Sequence, residues 1–338
     1  MDVETWQSRL RAENTRLMYM KALRAFLAFS SASSEQSLTW TVDEAESRMI
    51  EWKEHLISSG LSGRSVMIGW AGVKRWFVDN RIRIVAKCEH VSPEKTYLDY
   101  IPTQQDVQLI LDDCSLRLRL AVALMAFSGM RPADIVELQY RHVRKSFEHT
   151  DDVTTVIKQQ KKTHQWYFTF LGPQGTRYLR SVLEMREKAG ETISDDSYLL
   201  MKMGKKMTAG QLKRGIRHVI RRRFSKHPTS EPFRLFRPYG LRKYFRRVVS
   251  KLGEDTAEFL MGHSSGLTSL TATYSGLRDM DAEAISSLKE QYISLLGDLE
   301  TETSEITVRR SMTEFDAMKR ELERISAMLD EREKRRRG

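Results

Sequence analysis

The stretch from 237 to 274 constrains the fold of this chain most tightly, because arginine, glycine, histidine and tyrosine recur there at spacings that fix helix ends. It runs Arg237-Pro238-Tyr239-Gly240-Leu241-Arg242, then Leu260-Met261-Gly262-His263-Ser264-Ser265, then Leu270-Thr271-Ala272-Thr273-Tyr274. Pro238 suits the first turn of a helix, which places Arg242 about one turn in. Gly262 reads as the end of a second helix, followed by a turn. Leu267, Leu270 and Leu277 describe a short apolar stripe that leaves Tyr274 on another face. Arginine, histidine and tyrosine from three successive short elements suit the surroundings of one phosphate group. Arginine offers a planar fork for two oxygens, histidine a further donor, and tyrosine a hydroxyl able to attack phosphorus.

A comparable junction lies upstream. Residues 116–130 read as an apolar helix closed at Gly129, and Pro132 opens the next helix directly after Arg131. Arg131 therefore falls at a helix N-terminus, a favourable place to hold an anion. Residues 153–157 and 166–170 are β-rich runs on either side of Lys158-Gln159-Gln160-Lys161-Lys162-Thr163-His164, a β-hairpin with a basic tip. Residues 172–189 and 279–296 read as further helices. From 202 to 247 sixteen Lys and Arg stand against one acid, Glu231, with Phe224, Phe233, Phe236, Tyr239, Tyr244 and Phe245 interleaved. That density suits a face that tracks phosphates. The whole chain carries a formal charge of +11, which favours a polyanionic partner and says nothing about fold.

Together these residues resemble the tyrosine recombinase (integrase) family. Its first arginine box, Thr-Gly-x-Arg-x-x-Glu-x-x-x-Leu, is met by Ser128-Gly129-Met130-Arg131 and Leu138, with Asp134 in the acidic position. Its His-x-x-Arg is met by Tyr239 and Arg242, its Leu-Gly-His-Ser-Ser by Met261-Gly262-His263-Ser264-Ser265, and its nucleophile by Tyr274. There are two departures: the first histidine is replaced by Tyr239, and the interval from His263 to Tyr274 is slightly long. The resemblance implies that Arg131, Arg242 and His263 bind the non-bridging phosphate oxygens while Tyr274 attacks. A 3′-phosphotyrosine and a free 5′ hydroxyl result, and because the covalent bond conserves the phosphodiester energy, neither ATP nor a metal cofactor is required. A lysine on the family's hairpin protonates the leaving oxygen, which points here to Lys162, with Lys161 the close rival. Asp134 is expected to brace the site, by pairing with an arginine or by capping its helix. Two roles stay open for Tyr239: a hydroxyl donor in place of the histidine, or a ring packed beneath Arg242.

The fold class expected is mainly α with a small β-hairpin (α+β), in two domains and a tail. Residues 1–92 read as a helical bundle. Leu17, Met20, Leu23, Phe26 and Phe29 recur at steps of three, and Thr41 with Glu44 caps a second helix holding Met49, Ile50, Trp52 and Leu56. Ser62 opens a third, with Val66, Ile68, Trp70, Val73, Trp76 and Phe77. Lys21, Arg24, Arg64, Lys74, Arg75, Arg81 and Arg83 are expected outside. The bundle is similar to the family's core-binding domain, which grips one face of duplex DNA. Residues 93–102 are the linker and 103–298 the catalytic domain, opened by a helix that starts at Thr103 and Asp106. In the tail, 299–338, Val308, Phe315, Met318, Leu322, Ile325 and Leu329 fall on heptad positions, which fits a coiled coil or a helix folded back on its own domain.

The partners implied are double-stranded DNA and further copies of the chain, four of them in a synapse. No run approaches eighteen apolar residues, so no membrane is involved and a cytoplasmic, DNA-associated protein is expected. Cys88 and Cys114 are the only cysteines, too few for a disulfide framework or a cysteine-based zinc site. Two other readings share parts of the pattern. A type IB topoisomerase has the same chemistry, but its usual flanking regions are not evident. A catalytically impaired DNA-binding accessory protein would explain Tyr239, although the retained Tyr274 argues against it.

Overall fold

The computed structural model describes residues 1–10, 12–92, 98–148, 152–159, 166–224, 234–263 and 282–302. Contacts group the chain into two units that part between Leu98 and Asp99.

The first unit is helical: α1 (Val3–Arg9), α2 (Glu13–Phe29), α3 (Ser34–Ser37), α4 (Val42–Ser58) and α5 (Gly63–Asp79). The expected cap opens α4, where Glu44 N donates to Thr41 Oγ1 at 3.3 Å and Thr41 N donates to Glu44 Oε2 at 2.8 Å. Aromatic rings fill the core. Trp6 meets Trp76 edge-on at 5.3 Å between centroids, and Phe26 meets Trp52 at 5.4 Å. The apolar stripes are narrower than expected, because Leu17, Phe29 and Ile50 are exposed while Met20, Leu23 and Phe26 are buried. Steps of three fall about 60° short of a full turn, so a stripe built on them rotates out of the core at its ends. Lys21, Arg24, Arg64, Arg81 and Arg83 are exposed as expected. Arg75 is exposed too and pairs with Asp79, whereas Lys74 is half-buried and donates to Ala86 O at 3.0 Å. A two-residue strand, β1 (Leu98–Asp99), follows.

The second unit is built around α7 (Leu116–Ala126), in which every residue from Leu120 to Ala126 is buried. A helix apolar on all sides needs neighbours on all sides. These are α6 (Gln104–Asp112), α10 (Pro173–Lys188), α11 (Ala209–Phe224) and α12 (Tyr239–Val249). Thr103 and Asp106 cap α6 reciprocally, at 3.1 and 2.8 Å. The hairpin expected between 153 and 170 is present as β2 (Thr154–Gln159) and β3 (Trp166–Leu171), antiparallel, with Thr154 opposite Leu171 and Gln159 opposite Trp166. A second hairpin joins β4 (Met201–Lys202) to β5 (Lys205–Lys206). Further elements among the described residues of this unit are α8 (Pro132–Ile135), α9 (Arg144–Phe147), β6 (Arg234–Leu235), α13 (Glu254–Leu260), α14 (Ala282–Ile293) and α15 (Leu296–Leu299).

The fold is thus mainly α with small antiparallel hairpins. On α11 the buried residues are Leu212, Ile216, Val219 and Ile220, while Lys213, Arg214, Arg217, Arg221, Arg222 and Arg223 are all exposed, so this helix presents a basic face. Lys161, Lys162, Tyr274 and the heptad positions of the tail lie outside the described residues. Among the described residues no helix is long and apolar enough to cross a membrane.

Candidate active site

Two chain reversals and the first turn of α12 bring Arg131, Arg242 and His263 together. The first is the turn Ser128-Gly129-Met130 at the end of α7. Gly129 adopts φ +64, and a Cβ there would stand 2.4 Å from Phe245 Cδ1 on α12. Only glycine permits both the left-handed backbone and this close approach. Arg131 follows in extended conformation as the N-cap residue of α8, with Pro132 at the first helical position. Its Nη1 lies 3.5 Å from Gly262 O, donating to it, and 3.9 Å from Asp134 Oδ2. Asp134 is almost fully buried and stands within ion-pair distance of Arg131, which is one of the two arrangements open to it.

Arg242 occupies the first turn of α12 and has 0% exposure. Its Nη2 is 3.3 Å from His263 Nε2, and its Nε and Nη1 have no hydrogen-bond partner among the described residues. Burial works against its charge, Tyr239 partly offsets this, and repulsion from Arg131 adds to it, so the guanidinium is held below its ordinary value. Tyr239, the first residue of α12, lies beneath this group: the guanidinium carbon is 5.5 Å from the ring centroid, and the tyrosine is 47% exposed.

His263 is delivered by the end of α13. Gly262 has φ +70, its N–H donates to Phe259 O at 2.7 Å, and the His263 N–H donates to Glu258 O at 2.8 Å. This is the paired bonding of a Schellman termination, which folds the residue after the glycine back over the last turn. The imidazole accordingly meets Glu258, with Nδ1 2.5 Å from Oε2. Burial opposes charge on Glu258, but the hydrogen bond and charge of His263, together with Arg246, outweigh it and hold the carboxyl below its usual range.

Sequence reasoning passed over Glu258 and Tyr167. Glu258 carried a usable signal, since a glycine closing a helix brings the next residue against the one five positions before it. Tyr167 carried none: it is buried on β3, where burial, then the charge of Asp134, raise its hydroxyl well above the ordinary value against the pull of Arg242 and Arg131. β3 itself is fastened to the Gly129 turn, Thr169 Oγ1 donating to Ser128 O at 2.8 Å.

This fold is that of the tyrosine recombinases. A lambda integrase dimer bound to a COC′ core site is similar over 78% of this chain and 90% of its own, at 17% identity and a TM-score of 0.58. The Tn1549 transposon integrase in complex with transposon right end DNA is similar over 79% and 91%, at 17% identity and 0.56. A lambda integrase tetramer bound to a Holliday junction is similar over 77% and 72%, at 17% and 0.56. No protein-family model and no curated protein matches the sequence.

Proposed function

We propose that this protein is a site-specific tyrosine recombinase that cleaves and rejoins duplex DNA through Tyr274. The observation that carries the reading is Arg242: a buried guanidinium with two N–H-bearing nitrogens lacking acceptors among the described residues, beside Arg131 and His263. Buried donors of this kind are strongly unfavourable unless an anion receives them. A scissile phosphate supplies the charge and the oxygens. Arg131, Arg242 and His263 bind its non-bridging oxygens and stabilise the pentacoordinate phosphorane, which carries more negative charge than the ground state. The Tyr274 oxygen bonds to phosphorus as the bond from phosphorus to the 5′ oxygen breaks. Lys162, or its neighbour Lys161, gives the leaving oxygen its proton. The reverse reaction, with a 5′ hydroxyl from another strand, completes the exchange.

Residues 1–92 serve as the core-binding domain and 103–298 as the catalytic domain, joined by 93–102. The exposed arginines of α11 contact backbone phosphates. The similar structures contain DNA, and one is a tetramer on a Holliday junction, which supports assembly of four protomers around paired sites.

The test is covalent capture. Purified protein is incubated in EDTA with a pool of nicked duplexes of randomised sequence, then denatured. Adduct that survives denaturation and maps to Tyr274 is expected, and Tyr274→Phe should bind DNA without forming it. Cleavage by the Phe variant would sink the assignment of the nucleophile.

A further inference from the structure

We infer that Glu258 is a positioning residue for His263, fixing which ring nitrogen faces the scissile phosphate; the inference rests on the recombinase reading above. An ionised carboxylate can only accept, so a ring nitrogen 2.5 Å from Glu258 Oε2 carries the proton, and that nitrogen is Nδ1. In the neutral ring Nε2 is then left with its electron pair, where it accepts from Arg242 Nη2 at 3.3 Å. Glu258 is held in turn, because its Oε1 accepts from Arg246 Nε at 2.9 Å while Arg246 Nη2 reaches Glu254 at 2.7 Å.

Arg242 and Arg246 are four residues apart on α12, hence neighbours on one helix face. The sequence of contacts Arg246, Glu258, His263, Arg242 therefore begins and ends on the same rigid element. A second tether, the His263 N–H to Glu258 O, fixes the backbone from the same residue. The imidazole cannot turn over without breaking the carboxylate bond. The two side chains are only 26% and 22% exposed, which sets them apart from a solvated surface pair.

This arrangement suits the chemistry. As Tyr274 bonds to phosphorus its phenolic proton must leave, and an Nε2 electron pair can take it. The imidazolium formed keeps its Nδ1 proton on Glu258, whose negative charge stabilises the cation, and only then does its new Nε2–H donate to a non-bridging oxygen of the phosphorane. The 5′ oxygen leaves with a proton from the hairpin lysine, so neither proton is unaccounted for.

The test uses full-length protein with 15N-labelled histidine, at a pH where the ring is neutral, and a duplex recovered by covalent capture from the randomised nicked pool. In wild type the ring proton should sit on Nδ1. In Glu258→Ala it should move to Nε2, while adduct formation slows about 10- to 100-fold, as when an outer partner of an active histidine is removed. Glu258→Gln, whose amide oxygen still accepts, should keep the Nδ1 proton and recover part of the rate. In a His263→Ala background, Glu258→Ala should cause no further loss. An unchanged Nδ1 proton in Glu258→Ala, or equal losses with and without His263, would overturn the inference. If wild type forms no adduct with any duplex, the recombinase reading fails, and the ring spectrum still decides whether Glu258 sets the tautomer.

Discussion

Arg242 is a charged side chain with no exposure to water, an arrangement tolerated only where something compensates the guanidinium. Its place in the first turn of a helix was legible from Pro238 four residues earlier. Its burial was not, since that depends on α12 packing against α7, which lies far upstream in the chain. Tyr239 shows the same division. Its position was legible, whereas the ring beneath the guanidinium is a tertiary fact. Tyr239 also supports the Arg242 charge through its own charge and a side-chain hydrogen bond, so substitution is what separates the two roles left open by sequence. The expected outcome is that Tyr239→Phe forms covalent adduct at close to the wild-type rate. Tyr239→Ala, which removes the aromatic face, should be slower by roughly two- to five-fold, the equivalent of an exposed cation–π contact. Rates of adduct formation on one captured duplex check this; a Phe variant as slow as the Ala variant would assign the role to the hydroxyl.

Helix ends and hairpin strands were the elements most readable from residues, because each rests on chemistry local to a few positions. Thr41 with Glu44, Thr103 with Asp106, and the glycines at 129 and 262 all act within one turn of where they stand. What sequence did not disclose is the capping of α10. Its N-cap residue is Gly172, which has no side chain to offer, and Pro173 follows. The cap comes from the far end of the chain: the Glu300 carboxylate accepts from Gln174 N at 3.0 Å and Gly175 N at 3.4 Å. A Cβ on Gly172 would stand 2.5 Å from Glu300 Oε1, so the missing side chain makes room for the borrowed one.

Burial pushes the Glu300 carboxyl up to about 7, against the two backbone N–H groups that draw it down. The sign follows directly. A group that holds its proton more tightly when folded adds stability at low pH, and that contribution is lost as pH rises from the ordinary carboxyl range through 7. Relative to Glu300→Gln, which does not titrate, wild type should lose stability on the order of 3 kcal/mol between pH 4 and pH 8. Urea unfolding of both proteins at several pH values reads this difference. A constant difference across the range would mean that Glu300 ionises freely in the fold.

At the scale of the whole molecule, the charge marks a basic protein, and the contacts form two units. The tail is where assembly can be tested apart from folding. The last described residues are firmly held in the second unit. Tyr244 OH donates to Asp298 O at 2.8 Å and Leu299 O at 2.9 Å, Thr301 N donates to Gln174 Oε1 at 2.9 Å, and Glu302 pairs with Arg177 at 2.6 Å. All of these contacts precede residue 303, as do all the proposed catalytic residues. Deleting 303–338 should therefore leave the folded units and their unfolding midpoint close to those of the full chain. The deletion removes Val308, Phe315, Met318, Leu322, Ile325 and Leu329, whose heptad spacing suits burial against another helix. Each large apolar side chain so buried contributes roughly 1.5–3 kcal/mol, enough in sum to govern association. The truncated protein is expected to form adduct on a single nicked duplex at near the full-chain rate, and to lose pairing of two duplexes on a native gel and strand exchange between them. That pattern requires Tyr274 to act in its own protomer, because a tyrosine donated to a neighbour would make cleavage fall together with assembly. Pairing by the truncated protein as strong as that of the full chain would leave the heptads to a helix packed on its own domain.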